Sequence, residues 1–210
     1  MSSTQVHQQP LQFLTPELRP IVIEQTESVL LKIVRANLNT QYASKAPLLT
    51  KFRDAISARG SASDIELVDD FRRCVPLSDY NAYKPFMVAF NASPCKEAEL
   101  ENLFAPGLPY HLAVSSSTSG REPKLFPKYN FSTLSIFSGE GPMTAVFFCG
   151  YREVKSVERQ PGQIVKKIPV STLSSGIARA ILGWTNVDED DSRMSVIGGW
   201  RTCLFCTCCN

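Results

Sequence analysis

Five hydroxyl side chains in a row, Ser115, Ser116, Ser117, Thr118 and Ser119, run into Gly120, and Lys124 follows four residues later. A phosphate group needs convergent donors and no side chain in the way. Hydroxyls and backbone N–H groups supply the donors, a glycine lets the backbone come close, and the start of a following helix adds positive potential. Lys124 would reach such a group as a mobile point charge. The same composition also describes an ordinary solvent loop, and on spacing alone that is the preferred reading. The pattern G-x-x-x-x-G-K-[ST] is absent, because Gly120 is the only glycine of the stretch and Leu125 follows Lys124. G-x-G-x-x-G is absent as well, since Thr144 stands where a third glycine after Gly139 and Gly141 would fall.

Three other constellations could do chemistry, and each has a plainer reading. Cys203 and Cys206 have the spacing of half a zinc site, with Cys208 and Cys209 beside them. A second well-spaced pair is missing and adjacent cysteines rarely fit one tetrahedron, so no metal is expected. A prenylation box would need cysteine where Thr207 stands. His111 could be drawn into a triad with Ser116 and an acid such as Asp79, but no spacing fixes that geometry. The expectation is a satisfied histidine at a strand edge, and no G-x-S-x-G elbow is present. The run Asp188, Glu189, Asp190, Asp191 reads as a solvated loop.

Composition narrows the classes of function. The chain has 210 residues, 43% of them hydrophobic, enough for one large domain or part of a larger one. Its 22 basic and 20 acidic residues are well mixed. Arg72-Arg73 and Lys166-Lys167 are isolated basic pairs, so no nucleic-acid partner is expected. The N-terminus lacks the charged-then-apolar layout of a secretory signal, and no apolar run nears the roughly 18 residues of a membrane span. A cytoplasmic protein without a membrane partner is the expectation. The solitary Cys74, Cys95 and Cys149 fit it as buried reduced thiols, and the sequons at Asn91 and Asn130 read as chance.

The elements that must position these residues follow from periodicity. Residues 1–14 read as a flexible arm. Thr15-Pro16-Glu17 is a helix-start signal, although Pro20 blurs the exact start. Apolar residues then recur from Val22 to Leu38 in two stripes, Val22, Val29, Ile33 and Ala36 beside Leu30, Val34 and Leu38. Such a broad face predicts a well-buried helix. Further helices are predicted over Leu48–Ala58, closed by Gly60, over Asp64–Arg73, from Asp79 with Ser78 as cap, over Phe131–Ser138 and over Ser174–Leu182. Strands are predicted over Tyr110–Val114, Met143–Tyr151 and Ile164–Val170, the last entered by a Gln160–Gln163 turn. Helices first, then strands alternating with helices, give an α/β fold class.

The serine stretch resembles the nucleotide-phosphate loop of the auxin-responsive Gretchen Hagen family, acyl-acid amido synthetases of the adenylate-forming superfamily. Ser115, Ser116, Thr118, Ser119, Lys124 and Pro127 stand at matching positions. Upstream, Val75, Pro76, Tyr80, Lys84 and Pro85 are similar to a second family segment. Asn39, Thr40 and Tyr42 fit the family's first helices, and Ile168–Thr172 is similar to a segment near its acyl pocket. The matches run in order over roughly residues 30–182.

The resemblance implies the large domain of an adenylate-forming enzyme over residues 15–200, followed by an atypical cysteine-rich tail over 201–210. It implies ATP and Mg2+ as cofactors, with Ser115, Ser116, Ser117, Thr118, Ser119, Gly120 and Lys124 at the phosphates and Thr172 at the substrate. Small carboxylic acids and amino acids are the implied partners. Two departures weaken the loop. Ser117 replaces the first family glycine, at a strain of about 1–3 kcal/mol if positive φ is required, and Arg121 stands where the second belongs. The family's later motifs are not seen before Asn210, so the chain alone is expected to lack turnover, and its tail to come from truncation, a frameshift or retained intron sequence. The rival expectation is a non-catalytic nucleotide-binding or interaction protein that could self-associate through exposed edges.

Overall fold

The computed structural model describes residues 15–60, 63–115, 123–129, 144–181, 183–184, 186–192, 195–197, 200–202 and 204–208. The predicted Phe131–Ser138 helix and Ser116–Gly120 lie outside them. The chain divides into two compact units, one made of residues 1–39 and 43–78, the other of 40–42 and 79–210.

The first unit is helical. Helix α1 spans Leu18–Asn37, so it starts three residues after Thr15, whose carbonyl accepts from the N–H groups of Leu18 and Arg19 at 3.1 Å. That start puts Pro20 in the first turn, where its missing N–H has no partner to lose. Of the two apolar stripes only one is covered. Val34 is buried and Leu30 and Leu38 pack beside it, while Val29 and Ile33 are each 54% exposed. The expectation of a well-buried α1 is therefore corrected: a helix meeting neighbours on one side hides one stripe. After a 3-10 turn at Pro47–Leu49, α3 (Thr50–Arg59) ends at Gly60, whose φ of 71° suits a residue without Cβ. Helix α4 (Asp64–Cys74) begins with a capping box that the sequence reading missed. The Ser63 hydroxyl accepts from the Glu66 N–H, and the Glu66 carboxylate accepts from the Ser63 N–H at 2.9 Å. Hydrogen bonds from the Ser63 N–H and then from the Ser63 hydroxyl, the latter at 2.8 Å, hold the Glu66 carboxyl below its usual range. Phe52 and Phe71 meet edge-on at 5.3 Å and join α3 to α4.

The second unit is built on a five-stranded mixed sheet in the order β1-β5-β6-β2-β3. Its strands are β1 (Cys95–Lys96), β2 (His111–Val114), β3 (Leu125–Lys128), β5 (Glu153–Gln160) and β6 (Gln163–Ser171). Strands β1 and β5 run parallel, as do β2 and β6, and the remaining neighbours are antiparallel. The Gln160–Gln163 turn closes the β5–β6 hairpin with Gly162 at φ 81°. Strands β4 (Thr144–Phe148) and β9 (Leu204–Cys208) pair with each other, and β7 (Ser195–Ile197) pairs with β8 (Trp200–Thr202). Short helices α5 (Lys84–Met87) and α6 (Glu97–Leu100) belong to this unit, α7 (Leu173–Ile181) follows β6, and α2 (Gln41–Lys45) contributes its first two residues. The α/β class predicted from the order of elements is the one observed.

Leu112, Val157, Ile168 and Val170 of the sheet form one core with Met87, Phe90, Leu100 and Leu103. Cys95 and Cys149 are buried free thiols, whereas Cys74 is half-buried. Burial pushes the Cys95 thiol up, away from the reactive thiolate. No helix among the described residues is long and apolar enough to cross a membrane.

Candidate functional site

The serine stretch leaves β2 and returns as β3, which pair antiparallel with Val114 opposite Leu125. One step further out, the neck of the loop is closed by two hydrogen bonds. The Ser115 N–H donates to the Lys124 carbonyl at 2.9 Å, and the Lys124 N–H donates to the Ser115 hydroxyl at 3.0 Å. Ser115 is thus bonded to the neck, and Lys124 directly precedes β3. Ser116, Ser117, Thr118, Ser119, Gly120 and Arg121 lie outside the described residues.

Against this neck lies a groove of about 380 Å3 whose lining includes Tyr80, Asn81, Lys84, Asn91 and Lys124. Among the described residues the lining carries two lysines and no carboxylate, a charge balance that favours an anion. The segment supplying Tyr80 and Lys84 is a 3-10 turn at Tyr80–Ala82 running into α5. Asp79, rather than the predicted Ser78, caps that turn: its carboxylate accepts from the Asn81 N–H at 2.9 Å. Tyr83 and Phe86 anchor the segment from behind, with rings 5.2 and 5.0 Å from that of Tyr42. At its front, the Lys124 ammonium sits 5.2 Å from the centre of the Tyr80 ring, and the Tyr80 hydroxyl accepts from the Leu125 N–H at 3.3 Å.

Thr172 is engaged in its own helix. Its hydroxyl accepts from the Ser175 N–H at 3.3 Å and lies 3.0 Å from the hydroxyls of Ser174 and Ser175, which starts α7. It does not line the groove beside Lys124.

His111 is fully buried at the first position of β2, the strand edge expected for it, and β2 is an interior strand of the sheet. Its Nε2 lies 2.9 Å from the Ser171 hydroxyl, and Nδ1 has no hydrogen-bond partner among the described residues. Asp79 is committed to Asn81, so the imagined triad loses its acid. Burial first, then the charges of Arg179 and Lys128, push His111 down from 6.5 to about 4. The unfolded chain therefore binds a proton between those values that the folded chain rejects. Stability from this residue is complete above pH 6.5 and is lost as pH falls through about 4. The loss is about 3 kcal/mol, at about 1.4 kcal/mol per tenfold. Urea melts of wild type and His111→Gln at a series of pH values read it directly. The stability gap between them should narrow by about 3 kcal/mol over that range, and a gap independent of pH would refute the assignment.

The acidic run corrects a second expectation. Asp190 is not solvated: it is fully buried and holds the buried Arg179 of α7 through Oδ2 and Nη1 at 2.7 Å. Among the described residues, no group of three or more His, Cys, Asp or Glu side chains could hold a metal.

The second unit is thus a mixed-sheet α/β unit in which a loop neck borders a groove lined by two lysines. The GH3 family N-terminal domain matches residues 21–158, from α1 into β5 and across the groove. The chain belongs to the GH3 family. No curated protein and no solved structure matches it.

Proposed function

We propose that this chain carries the phosphate-gripping part of an ATP-dependent acyl-acid amido synthetase. The observation that carries the reading is the neck itself: Ser115 and Lys124 close it, and Lys124 opens onto a groove with a second lysine and, among the described residues, no acid. In this reading Ser115, Ser116, Ser117, Thr118, Ser119, Gly120 and Lys124 hold the phosphates of ATP. Hydroxyl and ammonium donors are the right chemistry for phosphate oxygens, and the described lining sets no carboxylate against them. Mg2+ would enter on the nucleotide's own phosphate oxygens, since the described residues offer it no cluster of ligands. A carboxylate oxygen of a small acid attacks the α-phosphate and pyrophosphate leaves; the amine of an amino acid then attacks the acyl carbon, forming the amide as AMP leaves and the amine gives up a proton. The work of the loop is to clamp charge that develops on the phosphates during that attack. Thr172 stays a candidate for the acyl side, through the end of β6 that it follows.

The test is a calorimetric titration of the protein with MgATP. Lys124→Ala should weaken binding by about tenfold or more, as expected for loss of a charge-assisted contact. Equal affinity in the variant, or no heat from wild type at millimolar ATP, would refute the reading. The second outcome favours the interaction-protein alternative, to which the exposed Leu18, Ile21, Val29 and Ile33 of α1 lend support.

A further inference from the structure

We propose that Tyr80 is a positioning residue for Lys124: its ring is the rest on which the lysine of the phosphate loop is held before the nucleotide arrives. The inference builds on the phosphate reading above and names the group that prepares it.

A lysine on a loop arm has four rotatable bonds, and ordering it on binding costs conformational entropy. Lys124 is already ordered at both ends. Its backbone N–H is tied to the Ser115 hydroxyl, and its ammonium sits 5.2 Å from the centre of the Tyr80 ring. That distance is within the range at which a ring face attracts a cation. The ring occupies one side of the ammonium, so the N–H groups on its other sides remain available to an anion in the groove. The ring is itself fixed. The Tyr80 hydroxyl accepts from the Leu125 N–H, the ring packs 5.5 Å from Phe126, and the Asp79 cap sets the turn that carries it. Tyr80 thus grips the two residues that follow the lysine, Leu125 and Phe126 of β3, and the lysine's head at once. Asn81 and Lys84, from the same segment, line the groove beside it. Holding a charged side chain in its bound place raises affinity by removing an ordering cost, without any contact between tyrosine and ligand.

The ring and the hydroxyl make different predictions, and two variants separate them. Tyr80→Phe keeps the ring and should bind MgATP within about twofold of wild type, while Tyr80→Leu should bind about fivefold more weakly. A purely structural role would not move the second readout. In the free wild-type protein, NMR should find the Lys124 Hε protons upfield of other lysines through the ring current, assigned by their loss in Lys124→Ala. The shift should persist in Tyr80→Phe and vanish in Tyr80→Leu. Lys124 Hε protons at the ordinary lysine position in wild type would overturn the inference, whatever the variants do. Unchanged ATP affinity in Tyr80→Leu beside a weakened Lys124→Ala would overturn this inference alone. Unchanged affinity in Lys124→Ala would overturn it together with the phosphate reading.

Discussion

Replacing Asp190 with alanine should cost the protein about 3–5 kcal/mol, the range for removing one partner of a buried ion pair. The pair is closed on every side the structure describes. Arg179 is 2% exposed and Asp190 is fully buried. The carboxylate takes the guanidinium fork through two contacts, Oδ2 to Nη1 at 2.7 Å and Oδ1 to Nη2 at 3.1 Å. Further guanidinium hydrogen bonds go to the carbonyls of Cys149 at 3.4 Å and Trp184 at 3.3 Å. The rings of Tyr151 and Trp184 lie 5.5 and 5.9 Å from the guanidinium carbon. Removing the carboxylate leaves a permanent charge facing carbonyl oxygens and ring faces, with no water to replace the lost acceptors. Carbonyls and rings are partial charges and cannot stand in for a full one. Asp190→Asn keeps one acceptor and the shape, so it should fall between wild type and Asp190→Ala. Replacing both partners with apolar residues of similar volume should cost less than the two single changes added together, because no orphan charge remains. Urea unfolding of wild type, the two single apolar variants and the double variant measures the cycle, with Asp190→Asn beside them. An Asp190→Ala midpoint equal to wild type would mean that water reaches the guanidinium and the pair is not buried.

That pair also marks what could not be read from sequence. Four acidic residues in a row look solvated because each carries a charge that water stabilises. Nothing local says that one of them will meet an arginine eleven positions earlier. The same limit hid β5. Its residues, EVKSVERQ, are mostly polar, and only Val157 is fully buried, so the strand has no apolar run of its own to announce it. It forms because β6 supplies a partner across the Gln160–Gln163 turn and β1 supplies a second. In α1 the periodicity was legible and its meaning was not: two stripes were visible, but a sequence does not say how many neighbours a helix will have. Local signals fared better. The strand ending in the serine stretch, the helix from Asp64 and the helix after β6 all lie within a residue or two of their predicted bounds. The loop neck and its lysine were legible by composition, whereas the groove was not. Tyr80 and Lys84 reach Lys124 from more than thirty-five positions away in sequence, through a turn whose cap is Asp79.

Gly176→Ala should destabilise the protein by about 3 kcal/mol, at the upper end of the range for overpacking a closed core. Alanine is ordinarily the better helix former, by about 1 kcal/mol, so propensity alone predicts the opposite sign. The neighbour decides the matter. A Cβ built on Gly176 would stand 2.2 Å from Nδ1 of His111 and 2.4 Å from Cε1, inside the ring's own van der Waals surface. Neither side can give way cheaply. The imidazole is fully buried on an interior strand and its Nε2 is held by Ser171 at 2.9 Å. Helix α7 is fixed at its start by the Thr172 cap and further along by the Arg179–Asp190 pair. The added methyl must lift the helix from the sheet or turn the ring out of its slot. The same glycine also accounts for the unpartnered Nδ1, since the helix backbone packs directly against that edge of the ring. A change of background tests the argument by its sign. In a His111→Ala protein the slot is empty, so Gly176→Ala should become neutral or stabilising by up to about 1 kcal/mol. Thermal and urea melts of the four combinations give the result. An equal loss in both backgrounds would show that the cost of alanine at 176 lies elsewhere than in the imidazole.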